Sequence, residues 1–235
     1  MSVGPRSSAL ALSQALATGA LRAADLMQAT LARVDAVNGD VNAIVSLGDR
    51  DALMDEARAA DESERSGWLH GIPIAIKDLA NAAGFPTSMG SPIFVGQEAV
   101  QDDIVVARLR AAGAIVIGKT NTAQFGLGSH STNPVFGPTR NPYDLSRSAG
   151  GSSGGAGVAQ ATGMLSLADG SDMMGSLRNP AVWNGVYGLR PTVGQVPRDP
   201  MGEAFLATLS TLGPMARNPR DLTLLLDVMS GPDAR

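Results

Sequence analysis

Ten of the 28 glycines in this 235-residue chain fall between Gly150 and Gly188. Glycine makes up about 12% of the whole chain, against roughly 7% in average usage. A glycine loses more conformational freedom on folding than any other residue, which costs about 0.5–1 kcal/mol relative to alanine inside a helix or strand. A segment so rich in it predicts special backbone requirements: left-handed turns, or main chain in close approach to something else. Any fold assigned to this chain must explain that stretch.

The rest of the composition narrows the class. Apolar residues are 44% of the chain and charged residues only 17%, against about 25% charged in an average domain. This argues for a globular protein and against a disordered one. The formal net charge is −4 with no Lys/Arg-rich run, so nothing marks a nucleic-acid surface or an anionic membrane as partner. No apolar run approaches the ~18 residues of a membrane span. The Ala/Leu-rich start is interrupted by Ser13 and Gln14 and reads as an amphipathic helix capped near Ser7 or Ser8, so a cytoplasmic location is expected. There is no cysteine, which removes thiol chemistry, disulfides and cysteine-ligated metals. Lysine chemistry has two candidates, Lys77 and Lys119.

Helical spacing predicts helices over Asp25–Asn38 and Asp49–Arg65, separated by a short apolar strand, Val41–Leu47. The run Gly71-Ile-Pro-Ile-Ala-Ile76 has the character of a buried strand and delivers Lys77 and Asp78 at its end. A Gly/Pro/Ser-rich loop, Asn81–Gly96, precedes a helix over Ile104–Ala112 and a strand, Ala114–Ile117. Residues Gly128–Ser153 are polar and proline-broken, which predicts irregular structure. A helix over Ala156–Met164, a short strand Leu165–Ala168 and a helix from Asn218 to Ser230, with Pro219 at its first position, complete the pattern. Helices alternating with short strands predict an α/β fold. The expected organisation is a helical N-terminal arm, residues 1–67, packed on an α/β core, residues 68–235.

Two motifs match well-known patterns but lack their physical setting. Gly113-Ala-Ile-Val-Ile-Gly118-Lys119-Thr120 fits the phosphate-loop pattern GxxxxGK[ST]. Such a loop must follow a strand and curl its middle residues around phosphate, whereas Ala-Ile-Val-Ile favours being the strand itself. A nucleotide binder is therefore the weakest alternative. Gly150-Gly-Ser-Ser-Gly-Gly155 contains the GxSxG of the α/β-hydrolase elbow. That elbow needs a preceding strand and a downstream acid and histidine. The only histidines, His70 and His130, lie upstream, and Asn141–Ala149 reads as loop.

A third constellation carries more. It joins Lys77 in GIPIAIKD, the pair Ser152-Ser153 in GGSSGGAGVA, and Ser176 in the segment from Gly170 to Ala181. With GKTN, GPTRNPYD and GLRPTVGQVP, these motifs follow one another in a fixed order. In this the chain resembles the amidase signature family, over roughly Leu12 to the C-terminus. The resemblance implies a mixed β-sheet flanked by helices, and a Ser–Ser–Lys triad that hydrolyses amides through an acyl-enzyme. It implies Ser176 as nucleophile, Ser152 as bridging serine after a cis peptide bond from Gly151, and Lys77 as base. Backbone N–H groups of Met173, Met174, Gly175 and Ser176 would form the oxyanion hole, with Ser153, Asp172 and Arg178 in support.

The chemistry accommodates these residue types. A serine hydroxyl needs a base to attack, and a lysine serves only when neutral, so its pKa must fall from ~10.4 towards 7–8. No metal or organic cofactor is implied. The expected partner is a small amide substrate.

The chain departs from the family in two respects. Met173 and Met174 stand where relatives carry a small hydroxyl residue and glycine, which makes the pocket rim more apolar, and Gln124 replaces a common Glu. Family members are also much longer, so the family fold is expected to be incomplete here. That expectation raises an alternative to an active amidase: a catalytically incompetent fragment or association subunit. It also favours self-association or a complementing C-terminal half as partner.

Overall fold

The structure, a computed structural model, describes residues 3–199 and 209–234. The N-terminal helices are α1 (Ala9–Ala17), α2 (Ala23–Val41) and α3 (Arg50–Glu62), with the two-residue strand β1 (Ile44–Val45) between the last two. Then come β2 (Pro73–Lys77), α4 (Ile104–Ala111) and β3 (Ile115–Thr120). An exposed hairpin, β4 (Arg140–Asn141) and β5 (Asp144–Ser148), leads into α5 (Gly154–Ala161). The remaining elements are β6 (Leu167–Asp172), α6 (Arg178–Asn184), β7 (Tyr187–Gly188), β8 (Thr211–Ala216) and α7 (Pro219–Met229). No described helix is long and apolar enough to cross a membrane.

Polar side chains define the helix starts. The Ser8 hydroxyl accepts from the Ala11 N–H, Asp49 from Ala52, and Asn218 from Asp221. Each satisfies a donor left without a partner in the first turn of its helix. Two carboxylates do this at long range. Asp61, at the end of α3, takes the N–H groups of Ala23 and Ala24 at 2.6 and 3.1 Å. Asp221, in the first turn of α7, takes those of Ala9 and Leu10 at 2.7 and 3.1 Å, so the last helix holds the first.

The strands form two three-stranded sheets in the orders β1-β3-β2 and β6-β8-β7. β2 and β3 are parallel, joined through α4, and β1 runs antiparallel to β3. The second sheet is antiparallel throughout. The sheets meet where β2 packs beside β6: the Lys77 N–H donates to the Asp169 carboxylate at 2.9 Å. Alternation along β2 splits its side chains between two cores. Ile74 and Ile76 join Leu109, Leu167 and Leu225, whereas Ala75 joins Met27, Leu31 and Val158 on the other face. Each fully buried aliphatic side chain contributes about 1.5–3 kcal/mol.

Close backbone approach accounts for part of the glycine excess. A Cβ on Gly155 would lie 2.4 Å from the Asn121 nitrogen and 2.5 Å from the Ala43 oxygen. One on Gly151 would meet the His130 backbone at 2.7 Å. No side chain fits at either position, because the atoms in the way are main chain.

Several elements differ from the sequence reading. The first strand is only Ile44–Val45, and α5 begins two residues earlier than expected and ends at Ala161. β6 continues through Asp169-Gly170, which reads locally as a turn but pairs with Pro214 and Gly213 of β8. β8 escapes detection because Gly213-Pro214 interrupts its apolar pattern. The hairpin β4–β5 lies in the stretch expected to be irregular.

Candidate active site

The strand β2 ends at Lys77, whose side chain is only 1% exposed. Its Nζ donates to three hydroxyls: Ser152 Oγ and Ser153 Oγ, both at 2.8 Å, and Ser171 Oγ at 2.9 Å. A longer bond reaches the Ser171 carbonyl at 3.4 Å. Burial disfavours the ammonium and lowers the pKa from 10.5 to about 7, against the opposing pull of Asp169 and Asp172. The amine is thus poised to exchange a proton near neutrality.

Ser152 follows a cis peptide bond from Gly151 and opens the turn into α5. The Ser131 hydroxyl fixes this turn, donating to the Ser152 carbonyl at 2.9 Å and accepting from the Gly154 N–H at 2.8 Å. The Ser153 N–H donates to the Ser176 carbonyl at 3.1 Å, which links the two serine segments through their backbones. Ser176 lines, together with Lys77 and Ser152, a cavity of about 700 Å³ whose walls include Leu79, Phe125 and Leu212. Among the described residues, the Ser176 hydroxyl makes no hydrogen bond, and it caps no helix.

Between β6 and α6 the chain wraps around the Asp172 carboxylate, which is completely buried. Arg178 donates to it from Nε and Nη2 at 3.0 Å each, Arg190 from Nη1 at 3.3 Å, and the Gly175 and Leu177 N–H groups at 2.7 and 3.1 Å. Burial works against this charge, but the hydrogen bonds outweigh it, led by those from Arg178, and hold the carboxyl far below the usual range. The Gly175 N–H, one of the donors expected at the oxyanion hole, is engaged by the Asp172 carboxylate. The N–H groups of Met173, Met174 and Ser176 make no hydrogen bond among the described residues.

The Amidase family model matches residues 25–235. The chain belongs to this family. It is 41% identical over 227 residues to a glutamyl-tRNA(Gln) amidotransferase subunit from Chromohalobacter salexigens, covering 95% of this chain and 46% of that protein. It is also 41% identical over 229 residues to an acylamidase from Rhodococcus erythropolis, covering 96% of this chain and 48% of the relative. Among solved structures, a bacterial aryl acylamidase of the amidase signature family superposes with a TM-score of 0.92 at 30% identity, over 97% of this chain and 48% of its own. A 6-aminohexanoate cyclic dimer hydrolase superposes with 0.90 at 34% identity, over 98% and 48%. The chain spans about half the length of the relatives it matches.

Within this fold, the two misleading motifs have structural explanations. Gly118-Lys119-Thr120 lies inside β3 as a regular strand. Lys119 is fully buried and donates to the Ala80 carbonyl and the Thr87 hydroxyl, with Asp78 3.8 Å away. It is a structural cation, and no phosphate cradle surrounds it. A strand, β5, does precede GGSSGG, contrary to the sequence reading, but it belongs to the exposed hairpin. His130 bonds Ser148 and His70 bonds the Ala60 carbonyl, so neither histidine bonds a motif serine.

Three residues at the site were not singled out from the sequence: Asp169, Ser171 and Arg190. The first two lie two apart on β6 and share the face towards Lys77. Extending β6 through Asp169-Gly170 in the period-2 pattern would have revealed both. Arg190 carried no local signal.

Proposed function

We propose that this chain carries the nucleophile, bridging serine and base of an amide-bond hydrolase, and that it acts on carboxamides through an acyl-enzyme. One observation supports this above the others: the buried Lys77 amine lies 2.8 Å from Ser152 Oγ in a cavity shared with Ser176.

Ser176 Oγ attacks the carboxamide carbon while its proton passes to Ser152, and the Ser152 proton passes to neutral Lys77. A C–O bond forms and the carbonyl π pair moves onto oxygen. The oxyanion is received by the N–H groups of Met173, Met174 and Ser176, the donors left unpartnered. When the C–N bond breaks, the proton returns from Lys77 through Ser152 to the departing nitrogen, releasing ammonia or an amine. Water then attacks the ester by the same relay in reverse roles, giving a carboxylic acid and free Ser176. Ser153 and Ser171 orient the amine; Asp172 and Arg178 hold the loop. Every atom and proton in this cycle comes from the chain, the amide or water.

Met173 on the cavity wall is 43% exposed and the adjacent Met174 83%, an apolar surface that supports a protein partner at this edge of the site. Fluorophosphonate labelling with peptide mapping tests the proposal. A single adduct on Ser176, lost in Ser176→Ala and in Lys77→Ala at pH 7, is expected. An adduct retained in Ser176→Ala would refute the assignment of nucleophile.

A further inference from the structure

Arg190 leaves β7 and reaches back across the loop that follows β6. Its Nη1 donates to the Asp172 carbonyl at 2.8 Å and the Met173 carbonyl at 2.9 Å, in addition to the Asp172 carboxylate at 3.3 Å. Its Nη2 donates to the Leu209 carbonyl at 2.9 Å, beside the start of β8. One guanidinium thus grips two consecutive peptide carbonyls and ties them to the segment that leads into β8.

The consequence follows from peptide planarity. In a trans peptide the C=O and the following N–H point in opposite directions. Fixing the Asp172 carbonyl therefore fixes the Met173 N–H, and fixing the Met173 carbonyl fixes the Met174 N–H, each directed away from Arg190. These are two of the three N–H groups in the loop that have no partner among the described residues, and Met173 lines the cavity that holds Lys77 and Ser176. Thr211 adds a weaker hold on the Asp172 carbonyl at 3.4 Å. Arg178 makes no such contact, since its side chain bonds only the carboxylate of Asp172.

We infer that Arg190 is a positioning residue for the oxyanion hole: it pre-orients the Met173 and Met174 N–H groups from behind, without touching substrate. The inference rests on the reading of Ser176 as nucleophile and deepens it. A planar fork is needed because three carbonyls at different angles share one side chain, which a lysine ammonium cannot reproduce.

The test measures fluorophosphonate labelling rate against pH in wild type, Arg190→Met and Arg190→Lys, with Ser176→Ala as control and thermal unfolding of each. The phosphoryl oxygen of the adduct occupies the oxyanion position, so loss of pre-organisation is expected to slow Arg190→Met by about 10²–10³-fold, as for loss of one donor. The midpoint of its pH profile should stay near the wild-type value, because the Lys77 cluster is untouched. Arg190→Lys should fall between the two, and free guanidinium should partly restore Arg190→Met. Labelling within threefold of wild type would overturn the inference while leaving the nucleophile assignment intact. So would a slowed rate with a displaced midpoint, or a fully active Arg190→Lys. If wild type acquires no adduct on Ser176, both readings fail.

Discussion

Replacing Lys77 with Met should abolish labelling and change stability in a pH-dependent way, from a small gain near neutral pH to a net loss in alkali. The buried amine titrates at about 7, whereas a lysine in the unfolded chain titrates at 10.5. Between these values the unfolded chain binds the extra proton, so the contribution of Lys77 to stability rises with pH. Below pH 7 the burial of Lys77 costs the full gap, about 5 kcal/mol at about 1.36 kcal/mol per pH unit. At pH 7 the cost is roughly 4 kcal/mol, by pH 9.5 it is down to roughly 1, and well above pH 10.5 it vanishes. Methionine carries no such penalty, although Ser152, Ser153 and Ser171 each lose a partner at about 1 kcal/mol. That loss does not depend on pH. The measurement is therefore the difference in urea-unfolding free energy between wild type and Lys77→Met at pH 7 and at pH 9.5. It should move by roughly 3 kcal/mol in favour of wild type as pH rises. Differences parallel within about 1 kcal/mol would mean that Lys77 is not held neutral, and its role as base would lose its physical ground.

Three other outcomes are expected. The labelling rate of wild type should rise with pH and level off with a midpoint near 7, as the Lys77 ammonium gives up its proton; a flat profile from pH 6 to 8 would contradict a lysine base. Lys119→Met leaves Asp78 buried without its cation, at a cost of about 3–5 kcal/mol in urea unfolding. The labelling rate per folded molecule should be unchanged, and a lost rate in a fully folded variant would count against a purely structural Lys119. Gly155→Ala forces a Cβ against the backbone of Asn121 and Ala43, which should cost at least about 1–3 kcal/mol, read as a lower urea midpoint; an unchanged midpoint would show that α5 is not seated as described.

Local chemistry was legible in the order of the residues alone. The apolar run ending in Lys77, the helix start near Ser8, Pro219 at the first position of the last helix, and the glycine-dense serine segment all depend on residues close in sequence, as do the interactions behind them. The ordered motifs led from these residues to the amidase family. They also marked Lys77, Ser152 and Ser176, which the fold brings to one cavity. Misreadings arose where local signals and tertiary pairing disagree: Asp169-Gly170 and Gly213-Pro214 are turn-like in isolation, yet they lie opposite each other in β6 and β8.

Only the tertiary structure decided what stands around those residues. Ser171 reaches Lys77 across 94 residues because β6 packs beside β2, and Asp221 holds α1 across 212. The engagement of the Gly175 N–H by Asp172, and the grip of Arg190 on the carbonyls behind the loop, set which backbone donors remain free. A sequence specifies which groups can be donors, acceptors or bases. Their pKa values and directions depend on burial and on partners supplied by distant strands, and these exist only once the sheets have assembled.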